Sequence, residues 1–198
     1  MVTMRVLVTG GIRSGKSRHA ESLLLPGSPL ETIEDGRPRG TWDPRVDPVT
    51  YLAAGPQRDD ADWAARVAAH RARRPDTWLT LESTDAAAGM RAASGPVLLD
   101  CLGTWLTAQL DEIGAWAAPE TDWAPDLEQR VSALEEAWRA TPFIVGVTNE
   151  VGWGLVSEHR SGRIFADRLG WLNQRIASAS DRVDLVVSGQ VLTIKEPA

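Results

Sequence analysis

Gly10-Gly-Ile-Arg-Ser-Gly-Lys-Ser17 follows the β-branched run Arg5-Val-Leu-Val-Thr9 and leads into a stretch of helical character from Lys16 to Leu25. It fits the pattern G-x-x-x-x-G-K-[ST], in which each residue type has a physical task. Glycines at Gly10, Gly11 and Gly15 let backbone N–H groups turn inward around phosphate oxygens, with Ile12, Arg13 and Ser14 carrying the loop between them. Lys16 reaches the β- and γ-phosphates, and the Ser17 hydroxyl binds Mg²⁺. The helix beginning here adds the positive end of its dipole. At ordinary residue frequencies a chance match in a chain of this length is about a one-in-a-hundred event. The strand before it and the helix after it decide against an ordinary glycine-rich turn, so the segment is read as a P-loop.

Outward from that loop, apolar strands alternate with helices. Strands are expected at Thr50–Ala53, Trp78–Glu82, Pro96–Asp100, Phe143–Thr148, Val183–Val187 and Val191–Ile194, the last two joined by the turn Ser188-Gly189-Gln190. Helices are expected at Asp60–Arg73, up to about Ala93, near Leu102–Ile113, at Asp126–Ala140 and at Ser161–Ala179. The segment from Pro26 to Pro48 carries five prolines and no apolar period, and it reads as a loop, either a functional flap or a surface insertion. The pattern predicts an α/β P-loop NTPase fold, a mainly parallel sheet with helices on both faces, in one domain spanning residues 1–198.

Bulk properties narrow the function classes. A formal net charge of −6 argues against a protein that coats nucleic acid. One cysteine, Cys101, permits no intrachain disulfide and fits a reducing compartment. The opening run Met1-Val-Thr-Met-Arg-Val-Leu-Val-Thr-Gly10 is too short in apolar residues for a signal peptide or a membrane span, and it reads as a buried strand. The expectation is a cytoplasmic protein without membrane insertion.

Several further residues carry two readings each. Asp100 ends an apolar strand, where an acid reaches the Mg²⁺ shell opposite Ser17 or merely caps the next helix. His70 shares a helix face with Arg66, Arg73 and Arg74, a face suited to polyphosphate, and a neutral imidazole there could attack phosphorus. It also shares a face with Trp63 and Val67, which a packing histidine explains equally well. Thr148-Asn-Glu-Val-Gly-Trp-Gly154 follows a buried strand, the place for a ligand-contacting loop or a plain polar turn. Most of the nine tryptophans, among them Trp63, Trp78, Trp105, Trp138 and Trp171, fall at apolar positions and read as core. His19 and His159 stand isolated, and no Cys/His spacing points to structural zinc. Cys101 reads as a small buried hydrophobe.

Taken in order, Leu7-Val-Thr-Gly-Gly-Ile-Arg-Ser-Gly-Lys-Ser-Arg-His-Ala-Glu21, Tyr51-Leu-Ala53, Ala65-Arg-Val-Ala-Ala-His70 with Arg74-Pro75, Trp78 to Glu82, and Leu98-Leu-Asp-Cys101 resemble one family. So do Thr148 to Gly154, Arg163-Ile-Phe-Ala-Asp167, Gly170, Asn173-Gln174 and Val186-Val-Ser-Gly189 downstream. It is the bifunctional adenosylcobinamide kinase / adenosylcobinamide-phosphate guanylyltransferase family of cobalamin biosynthesis. The P-loop alone is not specific; Thr-Asn-Glu-Val-Gly with a downstream Asn-Gln is. The resemblance implies a RecA-like fold and two reactions. ATP or GTP phosphorylates the aminopropanol hydroxyl of the corrinoid, and GMP from GTP then passes through a guanylyl-histidine to give adenosylcobinamide-GDP.

By position His70 resembles that histidine. The resemblance further implies nucleotide contacts from the P-loop, from Ala53, Ala54 and Gly55, from Arg71, Ala72, Arg73 and Arg74, and from Glu82 and Asp100. It also implies Mg²⁺ at Ser17 and Asp100, and a homo-oligomer, in this family often a trimer. Asp100 stands where the family commonly has Glu, Ala54 where it has Thr, and Ser157 and His159 where Pro and Asn are frequent. The competing readings are a P-loop small-molecule kinase with a purely structural His70, and a nucleotide-binding regulator acting on a partner protein.

Overall fold

The computed structural model describes residues 3–26, 28, 33–34, 37–38, 48–56, 68 and 71–197. Its centre is a seven-stranded sheet in the order β5-β4-β6-β7-β1-β8-β9. The strands are β1 (Met4–Gly10), β4 (Thr50–Ala53), β5 (Leu79–Glu82), β6 (Val97–Asp100), β7 (Phe143–Val147), β8 (Arg182–Val187) and β9 (Gln190–Lys195). Every neighbouring pair is parallel except β8 with β9. β7 lies between β1, which feeds the P-loop, and β6, which ends on Asp100.

Period-two alternation divides the core into two layers. Val6 and Val8, Leu98, and Phe143, Val145 and Val147 face one side, against Ala20, Leu23 and Leu24 of helix α1 (Lys16–Ser22) and the residues that follow it. Leu7, Val97, Leu99 and Ile144 face the other. That side is covered by α2 (Ala86–Ala92), α3 (Leu102–Glu112), α4 (Glu120–Ala140) and α5 (Arg160–Ala179). The inner strands β4, β6, β7 and β1 are buried on both faces because both faces are covered, as the sequence pattern predicted, whereas β5 and β9 at the two edges are mostly exposed.

The observed elements depart from expectation in two places. The α4 helix begins at Glu120, six residues before the predicted start at Asp126, and runs through Pro125. Proline usually marks a helix boundary, but here it sits in the second turn and removes only one amide from the early ladder. The burial stripe Trp123, Leu127, Val131, Leu134 and Trp138 begins before it and outweighs the loss. Within the Pro26–Pro48 loop, β2 (Ile33–Glu34) and β3 (Arg37–Pro38) form a short antiparallel ribbon. The predicted helix Asp60–Arg73 lies mostly outside the described residues; Ala72 N–H donates to the Ala68 carbonyl at 2.9 Å, as a helix requires. The turn between β8 and β9 has φ +52° at Ser188 and +77° at Gly189, the conformation of a two-residue hairpin.

Trp105, Trp123 and Trp138 are core residues, as expected, whereas Trp153 is exposed. Trp138 occupies space that Gly146 leaves empty in the middle of β7: a Cβ there would stand 2.6 Å from the indole ring. Gly146→Ala should therefore destabilise the protein by about 1–3 kcal/mol, because the fully buried ring has nowhere to retreat. Urea unfolding measures this; a variant within 0.5 kcal/mol, about the scatter of surface substitutions, would contradict the packing.

Candidate active site

Parallel pairing sets Glu82, Ala53, Asp100, Val147, Val8 and Asp184 in one row across six strands. The connections that leave the sheet just past this row carry most of the residues nominated from sequence, as expected for the carboxyl edge of a parallel sheet. The P-loop departs two residues beyond Val8. A Cβ at Gly10 would collide with the Val186 carbonyl oxygen, so only glycine lets the loop leave between β1 and β8. Gly15 adopts φ +97° and Arg13 φ +58°. Gly189 N–H donates to the Ser14 carbonyl at 2.8 Å, so the far hairpin supports the loop from outside.

Lys16 is buried at 8% exposure, and its ammonium donates to the Gly11 carbonyl at 3.0 Å. The Ser14 hydroxyl is buried and has no hydrogen-bond partner. A folded-back cation and an orphaned buried donor inside a glycine turn are the groups an entering phosphate would satisfy.

Across β7, Asp100 accepts a hydrogen bond from the Tyr51 hydroxyl at 2.7 Å. Burial pushes the Tyr51 phenol well above its ordinary range, and the Asp100 charge and bond push it further, so the hydroxyl stays a donor. Arg74 stacks on the same ring, 3.5 Å from its centroid. Next to it, Arg73 donates through Nε and Nη2 to both oxygens of the buried Glu21 of α1, at 3.2 and 3.1 Å. Two neighbouring arginines thus moor the segment after residue 70 to the P-loop helix and, through Tyr51, to Asp100. Cys101, not Asp100, caps α3, accompanied by Thr104 Oγ1, which accepts from Cys101 N–H at 3.2 Å. Burial pushes the Cys101 thiol up, in keeping with an inert residue.

The loop after β7 is also fixed to the P-loop. Glu150 N–H donates to the Gly10 carbonyl at 3.2 Å, and Thr9 Oγ1 donates to Glu150 Oε1 at 2.6 Å. Asn149 Nδ2 approaches Cys101 Sγ at 4.0 Å, closing the distance to the Asp100 strand.

Of the nominated residues, the structure brings Gly10 to Ser17, Ala53 to Gly55 and Asp100 to one edge. Glu82 lies at the same level but on the outermost strand. Ala54 is fully buried in the apolar layer, so its side chain packs and its N–H donates to the Asp100 carbonyl. Arg71 and Ala72 are exposed, whereas Arg73 and Arg74 make the contacts above. His70, Arg66, Val67 and Trp63 lie outside the described residues.

Tyr51, Glu21 and Asp184 were not nominated. Tyr51 is the sole tyrosine and sits in a buried strand, where a phenol needs a partner. An acid within the apolar run Val183-Asp-Leu-Val-Val187 calls for a partner in the same way. That partner is His19, which proves not to be isolated: its Nε2 donates to Asp184 Oδ2 at 2.7 Å. Arg182 Nε and Thr193 Oγ1 each donate to Oδ1 at 2.8 Å. Burial alone would raise the Asp184 carboxyl, but these hydrogen bonds outweigh it and hold it at about 2. The pair pins α1, and with it Lys16 and Ser17, onto β8.

This fold and edge define a P-loop nucleotide-binding enzyme of the α/β class. Residues 6–194 match the cobinamide kinase / cobinamide phosphate guanyltransferase family, and the chain belongs to it; it is accordingly a transferase of cobalamin biosynthesis. The bifunctional adenosylcobalamin biosynthesis protein CobU of Salmonella typhimurium is 38% identical over 202 residues, covering 97% of this chain and 100% of that protein. CobU of Escherichia coli is 37% identical over 201 residues with the same coverage. The bifunctional protein CobP of Pseudomonas aeruginosa is 36% identical over 197 residues, covering 97% of this chain and 98% of its own. Among the described residues, no helix is long and apolar enough to cross a membrane.

The Asp184 pair sets an acid limit on stability. Its folded value lies below the ordinary 3.8, so the stabilisation is complete above about pH 4 and is lost as pH falls toward 2. Asp184→Asn should cost about 2 kcal/mol at pH 7 and flatten the stability curve between pH 4 and 2. Urea unfolding at pH 7 and pH 3 tests it; equal slopes for both proteins would remove Asp184 as the cause.

Proposed function

We propose that the chain phosphorylates the aminopropanol hydroxyl of adenosylcobinamide with ATP or GTP, and then moves GMP from GTP onto the product through a guanylyl-histidine at His70. The observation that carries this reading is the double mooring at Arg73–Glu21 and Arg74–Tyr51–Asp100, which ties the segment directly after His70 to both halves of the P-loop edge. One phosphate site can then serve both reactions within a single domain. The relatives' printed names, which call them bifunctional, support the same reading.

In the first reaction Lys16 and the P-loop amides hold the β- and γ-phosphates and neutralise charge gathering on the transferred group. In the second, the neutral His70 imidazole forms a bond to the α-phosphorus of GTP, and pyrophosphate leaves with the electrons of the broken P–O bond. The corrinoid phosphate then displaces His70 from that phosphorus, so one hard transfer becomes two easier ones. Arg71 and the backbone of Ala53 to Gly55 would line the nucleotide. Glu82 lies farthest from the P-loop and would serve the base or ribose.

Ser17 and Asp100 present a hydroxyl and a carboxylate, the hard oxygen donors that suit Mg²⁺. An ion held by one or two protein oxygens would complete its shell with phosphate oxygens and water. When bound, such an ion would supply Lewis-acid charge stabilisation to the phosphates. The same reading places the protein in the cytoplasm as a homo-oligomer, a trimer in keeping with its family, with no nucleic-acid partner.

Incubation with Mg²⁺ and GTP labelled at the α-phosphate should leave acid-labile, alkali-stable label on the denatured protein. His70→Ala should abolish the label while sparing much of the kinase reaction. Lys16→Ala should impair both by about a hundredfold or more, the scale of losing a charge that stabilises a transition state. A folded, GTP-binding protein that takes no label would be a plain kinase or a nucleotide-gated regulator instead.

A further inference from the structure

Two buried polar side chains converge on one carboxylate oxygen beside the P-loop, and a third holds one of them in place. Thr9, at 4% exposure, donates to Glu150 Oε1 at 2.6 Å. Asn173 of α5, at 8%, donates from Nδ2 to the same oxygen at 3.4 Å and to the Asn149 carbonyl at 3.1 Å. Thr148, fully buried, donates to Asn173 Oδ1 at 2.6 Å and thereby fixes which way the amide faces. Burying such a network is costly unless its members are satisfied, and both of its bonds to the Glu150 carboxylate are made to Oε1. Glu150 Oε2 accepts none of these bonds. The Glu150 backbone is itself held to Gly10.

We propose that Glu150 is the carboxylate that receives the proton of the attacking hydroxyl in phosphoryl transfer, and that Asn173 and Thr9 position it. The inference rests on the kinase half of the function proposed above. Phosphoryl transfer asks the protein to orient the nucleophile and hold charge, and a carboxylate fixed through one oxygen orients a hydroxyl with the other. The hydroxyl oxygen bonds to the γ-phosphorus, and the bond from that phosphorus to the bridging oxygen breaks. The nucleoside diphosphate leaves with that electron pair, and the hydroxyl proton passes to Oε2 and on to water.

The other acids at this edge fit the role less well. Glu82 stands four strands from β1, roughly 19 Å at about 4.8 Å per strand, too far to touch a hydroxyl attacking phosphate over the P-loop. Asp100 is two strands away and is bonded to Tyr51. Glu150 alone among the three is hydrogen-bonded to the P-loop backbone through its own N–H.

The test follows two activities of the full chain, phosphorylation of adenosylcobinamide and GMP labelling of the protein by GTP. Glu150→Gln should lower kcat for phosphorylation by about a hundredfold or more, the usual worth of a positioned general base. KM for nucleotide and the extent of GMP labelling should stay within about threefold, since neither uses the Glu150 proton acceptor. Thr9→Val and Asn173→Ala should lower the same kcat by about tenfold without moving KM, and Thr9→Ser, which keeps the hydroxyl, should recover it. Glu150→Gln with unchanged phosphorylation would overturn the inference and leave the family reading intact. Parallel loss of labelling and phosphorylation would overturn it too, by making Glu150 a structural support. A wild-type chain that labels without phosphorylating would leave Glu150 no hydroxyl to serve, and one that does neither would sink the function proposed above as well.

Discussion

Hydrogen bonding between parallel strands gives the sheet a register, and that register places Glu82, Ala53, Asp100, Val147 and Val8 at one level. The P-loop, the Ala53–Gly55 turn, Asp100 and the loop that carries Glu150 leave the sheet at that level or within a few residues of it. A one-residue slip of β6 against β7 would turn Asp100 to the other face and put Leu99 in its place. The two apolar layers prevent such a slip. Val97 and Leu99 belong to the layer of helices α2 to α5 and Leu98 to the layer of α1, so a slipped strand would expose one set and overpack the other. Core packing is in this sense the source of the site's geometry.

Around that level the protein uses paired charges sparingly, where an element must not move. His19–Asp184 secures α1 to β8, and Arg73–Glu21 secures the segment before β5 to α1. Both acids are buried and both have at least two donors, the condition under which a buried charge is tolerated. The exposed pairs on α4, such as Arg139–Glu135 four residues apart, carry little weight beside them.

What the sequence made legible was local. The P-loop could be read because its eight residues are contiguous and each type has one task, and the strands because buried parallel strands are short apolar runs. The start of α4 was obscured by Pro125, a strong local signal overruled by the tertiary stripe from Trp123 to Trp138. Glu150 and Asn173 were quoted as parts of a motif, but no spacing marks that they meet. They are 23 residues apart and come from a loop and a helix, as His19 and Asp184 come from elements 165 residues apart. Arg73 and Arg74 were read as phosphate ligands because guanidinium groups on one helix face suit phosphate. The structure gives each a protein contact first, which a sequence cannot show without knowing what packs opposite.

The neighbours of β1 have a consequence for how the chain is made. The strand that opens the P-loop pairs with β7 and β8, formed by residues 143–147 and 182–187, and the loop itself leans on the amide of Gly189. During vectorial synthesis the first strand therefore emerges without either partner, and must wait for well over a hundred further residues before it can pair. Its closure belongs to the slow, non-local class of contacts. A nascent chain shorter than residue 189 lacks the support for its own phosphate loop. Nucleotide capture is thereby tied to completion of the sheet, and a ribosome-bound or truncated product that ends before β8 would compete poorly for cellular GTP.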